Sequence, residues 1–165
     1  MKFAAAGGLI VMACLSVGAL AAPQSNSEDR RKIAQCIDTA RMDDGFAGNC
    51  IGIVADPCIK AVKVNDHAAA VAASKACAVR ELAVWRSRLQ EAVTTINKSS
   101  TPKMRSAVAA SQQSFASSRD QLCPLLRKLD HPPGVSLGED DYCRLEETAR
   151  RSLILEWLAS AVEEH

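Results

Sequence analysis

The chain has 165 residues, of which 48% are hydrophobic, 24% charged and 4% aromatic. That is the make-up of one foldable domain, and it excludes a collagen, a heptad-only rod and a multi-domain enzyme. Lys plus Arg total 20 against 19 Asp plus Glu, a formal net charge of +1, so no basic surplus points to nucleic acid or an anionic membrane.

The first 21 residues read as a secretory signal. Lys2 is a minimal basic start, the run from Phe3 to Leu20 is apolar and rich in small residues, and Ala19-Leu20-Ala21 supplies the small side chains needed at a cleavage site. The mature chain is expected to begin at Ala22, in the periplasm or outside the cell. A competing reading takes Val11-Met12-Ala13-Cys14 as a loose lipoprotein box, which would anchor the protein to a membrane through a lipid on Cys14.

Cleavage removes one of seven cysteines and leaves Cys36, Cys50, Cys58, Cys77, Cys123 and Cys143. An even number in an oxidising compartment argues for disulfides. Zinc sites prefer Cys-x₂₋₄-Cys spacings with histidine nearby, which these cysteines lack, so neither metal nor cofactor is expected. Because the cysteines fall in three successive pairs, sequential closure is the expected connectivity: Cys36 to Cys50, Cys58 to Cys77, Cys123 to Cys143. Each bridge would contribute about 3 kcal/mol through the unfolded state.

The dominant period is helical, and the expected fold class is all-α, a disulfide-stapled bundle of about four helices. The polar stretch 23–29 offers Ser27 as cap for a first helix carrying Ile33, Cys36, Ile37 and Ala40, which ends at Asp43-Asp44-Gly45. Residues 48–66, rich in Gly, Asp, Asn and Pro, read as a stapled loop with one helical turn near Cys58 to Val62. This makes 22–76 an N-terminal helix and stapled loop, and 77–165 the main helical domain. In the second helix Ala78, Leu82, Trp85, Leu89, Ala92 and Ile96 form the apolar stripe, while Arg80, Arg86, Arg88 and Glu91 fall off it and are expected in solvent. Thr101-Pro102 starts a third helix through Met104, Val108, Phe115, Leu122 and Leu126, with Phe115 expected to face Trp85. His131-Pro132-Pro133-Gly134 ends it. A fourth helix opens near Asp140 or Asp141 and carries Tyr142, Leu145, Ala149 and Leu153, with Leu155, Leu158 and Val162 on another face.

Catalytic patterns are lacking. There is no Gly-x-Ser-x-Gly elbow, His-Glu-x-x-His helix or phosphate loop, and His67 and His131 fall in loop-type surroundings. Asp43-Asp44 and Glu163-Glu164 are adjacent acids at element ends, where they are ordinarily solvated. A binding protein, not an enzyme, is expected. On the third helix Gln112, Phe115, Arg119 and Cys123 share one face, with Asp120 beside Arg119; on the fourth, Cys143 is followed by Thr148 and Arg151. A Cys123 to Cys143 bridge would bring Arg119 and Arg151 to one seam, each pairing a carboxylate such as Glu81 or Asp120.

The set Glu81-x₃-Trp85-x₃-Leu89, Gln112-x₂-Phe115-x₃-Arg119-Asp120-x₂-Cys123 and Cys143-x₄-Thr148-x₂-Arg151 resembles the LprI-type lysozyme-inhibitor-like proteins over residues 77–158. The run from Cys50-Ile51-Gly52 to Asp56-Pro57-Cys58 is also similar to that family. The resemblance implies a small helical, secreted or periplasmic bacterial domain whose motif residues are structural and whose partner is a protein, a lysozyme in the sense the family name carries. The second expectation is an envelope structural or stress-protection protein with a periplasmic protein partner. Gly134, Val135 and Ser136, followed by Glu139, form a proline-stiffened loop between Cys123 and Cys143, and are the expected partner contact.

Overall fold

The computed structural model describes residues 26–43, 45–126 and 139–164. Among them are five α-helices, one 3₁₀ turn and no strand: α1 (Ser27–Met42), the turn (Ala47–Cys50), α2 (Ala55–Lys60), α3 (His67–Ser99), α4 (Pro102–Leu126) and α5 (Glu139–Glu163). The all-α reading holds, with one helix more than the four expected. The extra helix is α2, which replaces the single turn expected at 58–62 and starts three residues earlier. The signal segment, Cys14, His131 and the loop residues Gly134, Val135 and Ser136 lie outside the described residues.

Helix ends follow local chemistry. Asn26, one residue before the expected Ser27, caps α1 by accepting the Glu28 N–H at 3.0 Å, and Glu28 and Asp29 in the first turn oppose Arg41 in the last, as the helix dipole favours. Asp66 caps α3 through the Ala69 N–H at 2.7 Å. His67 therefore opens a helix where a loop was expected, and α3 runs 33 residues, about 50 Å at 1.5 Å per residue. Thr101 caps α4 as expected, accepting the Met104 N–H at 3.3 Å, with Pro102 at the first helical position.

The chain directions follow from cross-helix pairs. Lys75 meets Asp141 and Arg88 meets Glu156, so α3 and α5 run parallel. Arg151 reaches Gln112 while Cys143 is bonded to Cys123, so α4 returns antiparallel along α5. The first turn of α1 is tied to α3 by Asp29–Arg80, and its last turn to α5 by Arg41–Glu156, which lays α1 across the pair. All three disulfides form with the expected connectivity, Cys36–Cys50, Cys58–Cys77 and Cys123–Cys143.

Two apolar clusters result. The larger joins Ile33 and Ile37 of α1, Cys50, Val54 and Ala55 of the stapled segment, Ala78, Leu82, Val84 and Trp85 of α3, and Leu145 and Ala149 of α5. The smaller holds Ala92, Ile96, Val108, Leu155 and Ala159, with Leu89, Leu158 and Val162 packed on it. The second face of α5, with Leu155, Leu158 and Val162, is thus core. Of the expected stripe of α4 Val108 is core, but the rest is corrected: Met104 and Leu122 are exposed, and Phe115 is half-buried under two guanidinium groups instead of facing Trp85. Two arginines off the α3 stripe are not free in solvent either. Arg80 grips the fully buried Asp29 with two bonds of 2.6 Å, which raises its pKa. Arg88 holds Glu156 bidentately at 2.8 and 2.7 Å. Long cationic side chains reach carboxylates on crossing helices that a one-helix pattern does not contain. No helix among the described residues is long and apolar enough to cross a membrane.

Candidate functional site

Glu81 is the hub of the stapled segment. Its side chain is fully buried, and both carboxylate oxygens are saturated. Oε1 accepts the Gly52 N–H at 2.8 Å and the Trp85 indole N–H at 2.9 Å; Oε2 accepts the N–H groups of Val54 and Ala55 at 2.9 and 2.7 Å. The donors from Val54 and Ala55 are among the unpaired N–H groups at the start of α2, so Glu81 does for that helix what a cap would do. Glu81 therefore does not pair with Arg119 or Arg151, as the sequence allowed; backbone donors claim it first. Beside it, Tyr142 donates its hydroxyl to Asp56 Oδ1 at 2.6 Å, and burial together with that carboxylate pushes the phenol pKa up. Gly52 sits at φ +91°, and a Cβ there would stand 2.8 Å from both the Asp56 carboxylate and the Tyr142 hydroxyl, so glycine is required for backbone shape and for room.

The second constellation is the seam between α4 and α5. The Phe115 ring lies beneath the guanidiniums of Arg119 and Arg151, at 5.5 and 5.7 Å from its centroid. Arg119 donates to the buried Thr148 hydroxyl at 3.3 Å and to Asp120 at 3.0 Å, and Arg144 also binds Asp120. Burial raises the Asp120 pKa, but the two guanidiniums outweigh it and the net shift is downward. Arg151 donates to Gln112 at 2.5 Å and to Ser111 at 2.7 Å, and burial lowers its pKa. The expected pairing of Arg119 with Asp120 is present; Arg151 finds an amide and a hydroxyl instead of a carboxylate.

The model of a protein family described as lysozyme inhibitor LprI matches residues 64–155, more than half of the chain. The protein belongs to the LprI lysozyme-inhibitor family. No match was found among curated proteins or among solved structures.

The LprI motif thus separates into two structural devices. Glu81 and Trp85 fasten the stapled segment to α3, and Leu89 enters the smaller core cluster. Gln112, Phe115, Arg119, Thr148 and Arg151 assemble the seam that holds α4, a helix that buries only Val108 and Cys123 among its described apolar side chains. Polar contacts there replace the apolar stripe. Every one of these side chains is engaged within the LprI fold, and among the described residues no cluster of three or more His, Cys, Asp or Glu side chains is placed to hold a metal ion.

Of the expected contact loop, only Glu139 is described, as the first residue of α5. A different surface, outside the expected contact, is apolar and exposed. Phe46 is 74% and Trp157 71% exposed, with Ile154 at 56%. Phe46 and Ile154 line one concavity of about 330 Å³ with Gly48, Ile51, Leu153 and Arg150. On α5, Arg150, Ile154 and Trp157 stand at i, i+4 and i+7, one outward face. That signal was legible: these positions fall on neither apolar stripe assigned to the helix, so an apolar face was left over.

Proposed function

We propose that the protein is a secreted or periplasmic inhibitor-type binding protein whose partner is a lysozyme, and that it works by occupying the partner and not by catalysis. The match of residues 64–155 to the LprI family carries this reading. Three disulfides suit an oxidising compartment, and the engagement of the buried polar groups in holding the fold supports a rigid binding module. In this reading residues 1–21 are removed on export, the mature chain starts at Ala22, and no thiol remains free. Mass spectrometry of unreduced, alkylated protein tests export and pairing, and a lipid on Cys14 would replace the soluble form by an anchored one.

The deciding experiment is lysis of peptidoglycan by a chicken-type lysozyme in the presence of the purified, oxidised mature chain. Dose-dependent slowing is expected. Unchanged lysis would leave the envelope structural or stress-protection reading, with another periplasmic protein as partner; the exposure of Phe46 and Trp157 is compatible with that class as well.

A further inference from the structure

We propose that the face formed by Phe46, Arg150, Ile154 and Trp157 is the surface that docks into the carboxylate-bearing substrate cleft of a lysozyme. The inference rests on the lysozyme-binding reading above and adds where on the molecule the contact is made.

Exposure is the first argument. Among the described residues Phe46 and Trp157 are each more than two thirds in solvent; Phe46 shares its concavity with Arg150 and Ile154, and Trp157 stands one turn beyond Ile154 on the same outward face of α5. Burying an aromatic ring is worth several times what an average surface side chain contributes, and Trp and Arg dominate interface hot spots. Rigidity is the second. Phe46 immediately precedes the 3₁₀ turn that ends at Cys50, which is bonded to Cys36 of α1. Its ring folds over Gly48, so closely that a Cβ on Gly48 would overlap it. Ile154 and Trp157 project from the same helix that builds both core clusters. Such a surface loses little conformational entropy on docking.

Charge selects the occupant. Arg150 is exposed on the rim of the apolar concavity. Among the described residues no carboxylate lies within 4.0 Å of it, although Glu146 and Glu147 are only one turn away and most other arginines of the bundle are paired. An unpaired guanidinium set among aromatic and aliphatic side chains fits a cleft that has apolar walls and anionic groups. Glycoside hydrolases carry a pair of carboxylates flanking the bond they cut, and Arg is suited to engage a carboxylate bidentately. The complementary surface is therefore the mouth of the cleft, with Arg150 toward the carboxylates and Trp157 and Phe46 against its walls.

The test measures inhibition of chicken-type lysozyme by the oxidised mature chain, by Trp157→Ala, Phe46→Ala, Arg150→Glu and Arg150→Lys, and by a Val135/Ser136 double replacement in the loop between Cys123 and Cys143. The substituted side chains of the face are exposed, so melting temperatures should match the parent and report any misfolding. Expected are at least a tenfold weaker inhibition for Trp157→Ala and Phe46→Ala, a larger loss for Arg150→Glu with partial retention in Arg150→Lys, and competition by a soluble N-acetylglucosamine oligomer. Inhibition by the parent that survives Trp157→Ala and Arg150→Glu would overturn this surface while leaving the proposed function intact, and loss confined to the loop variant would move the contact there. Failure of the sugar oligomer to compete would overturn cleft docking. A parent that does not inhibit at all removes both proposals. A dimer in sedimentation that Trp157→Ala converts to monomer would assign the face to a second copy of the chain and overturn the inference.

Discussion

Replacing Glu81 by Gln tests whether one carboxylate holds the stapled segment to α3. The two oxygens each accept two N–H groups, Gly52 and Trp85 on one, Val54 and Ala55 on the other. A glutamine amide has one oxygen and one NH₂, so whichever way it is turned, two donors lose their acceptor and face another donor. Hydrogen bonds to a charged acceptor are worth about 1.5–3 kcal/mol each, and buried donors left unsatisfied carry a further cost. Two lost bonds give a destabilisation of about 3–6 kcal/mol, a large share of the roughly 5–15 kcal/mol that keeps a domain folded. In urea, with a slope of about 2 kcal/mol per molar, the midpoint should fall by about 2 M, with helicity followed by circular dichroism and the disulfides kept oxidised. Trp85→Phe, which keeps most of the ring but removes one of the four donors, should fall between parent and Glu81→Gln. A Glu81→Gln midpoint within about 0.3 M of the parent at unchanged slope would refute the clamp, because a solvated or relaxed carboxylate tolerates that change.

The remaining predictions probe the neighbouring devices. Arg88→Ala should cost about 1–3 kcal/mol by thermal or urea unfolding, since it leaves the mostly buried Glu156 without its bidentate partner; a silent mutation would show that the pair is solvated. The chain has one tyrosine, so tyrosinate absorbance reports Tyr142 alone. Its folded pKa lies above the ordinary value of 10.0, so its stabilising contribution is complete below about pH 10 and is lost as pH rises toward the folded value. The absorbance should rise together with loss of helicity, and ionisation near pH 10 in a fully helical protein would contradict the Asp56 contact. Gly52→Ala should lower the melting temperature and release that same titration, because the left-handed backbone costs about 1–2 kcal/mol for a residue with a Cβ and the methyl group collides with Asp56 and Tyr142.

Much of this protein is local and was therefore legible in one dimension. The all-α class, the α3 stripe with Trp85 and Ile96, the Thr101-Pro102 start and the three sequential disulfides depend on period, capping chemistry and spacings of 14 to 20 residues. The family motif was recognisable for the same reason: its residues recur at helical intervals. What the residues of the motif do was decided elsewhere. Glu81 faces backbone N–H groups 26 to 29 residues away, donors that no side-chain pattern reveals, because every residue but proline carries one. Arg80 and Arg88 look solvent-facing on a helical wheel, yet Asp29 and Glu156 on crossing helices take them in. Of the α4 stripe Val108 enters the core, but further along the helix its neighbours offer Thr148 and Arg151 in place of an apolar groove, so a polar seam and a disulfide hold that part, and Met104 and Leu122 stay in water. Phe46 and Ile154, far apart in the chain, come to one concavity because α1 lies across α3 and α5 and the Cys36–Cys50 bridge holds the 3₁₀ turn against the α5 face. Sequence determined which segments are helices and which cysteines close them; the crossing of those helices decided which polar groups are consumed by the fold and which apolar ones are left outside, since burial depends on what the opposite helix presents.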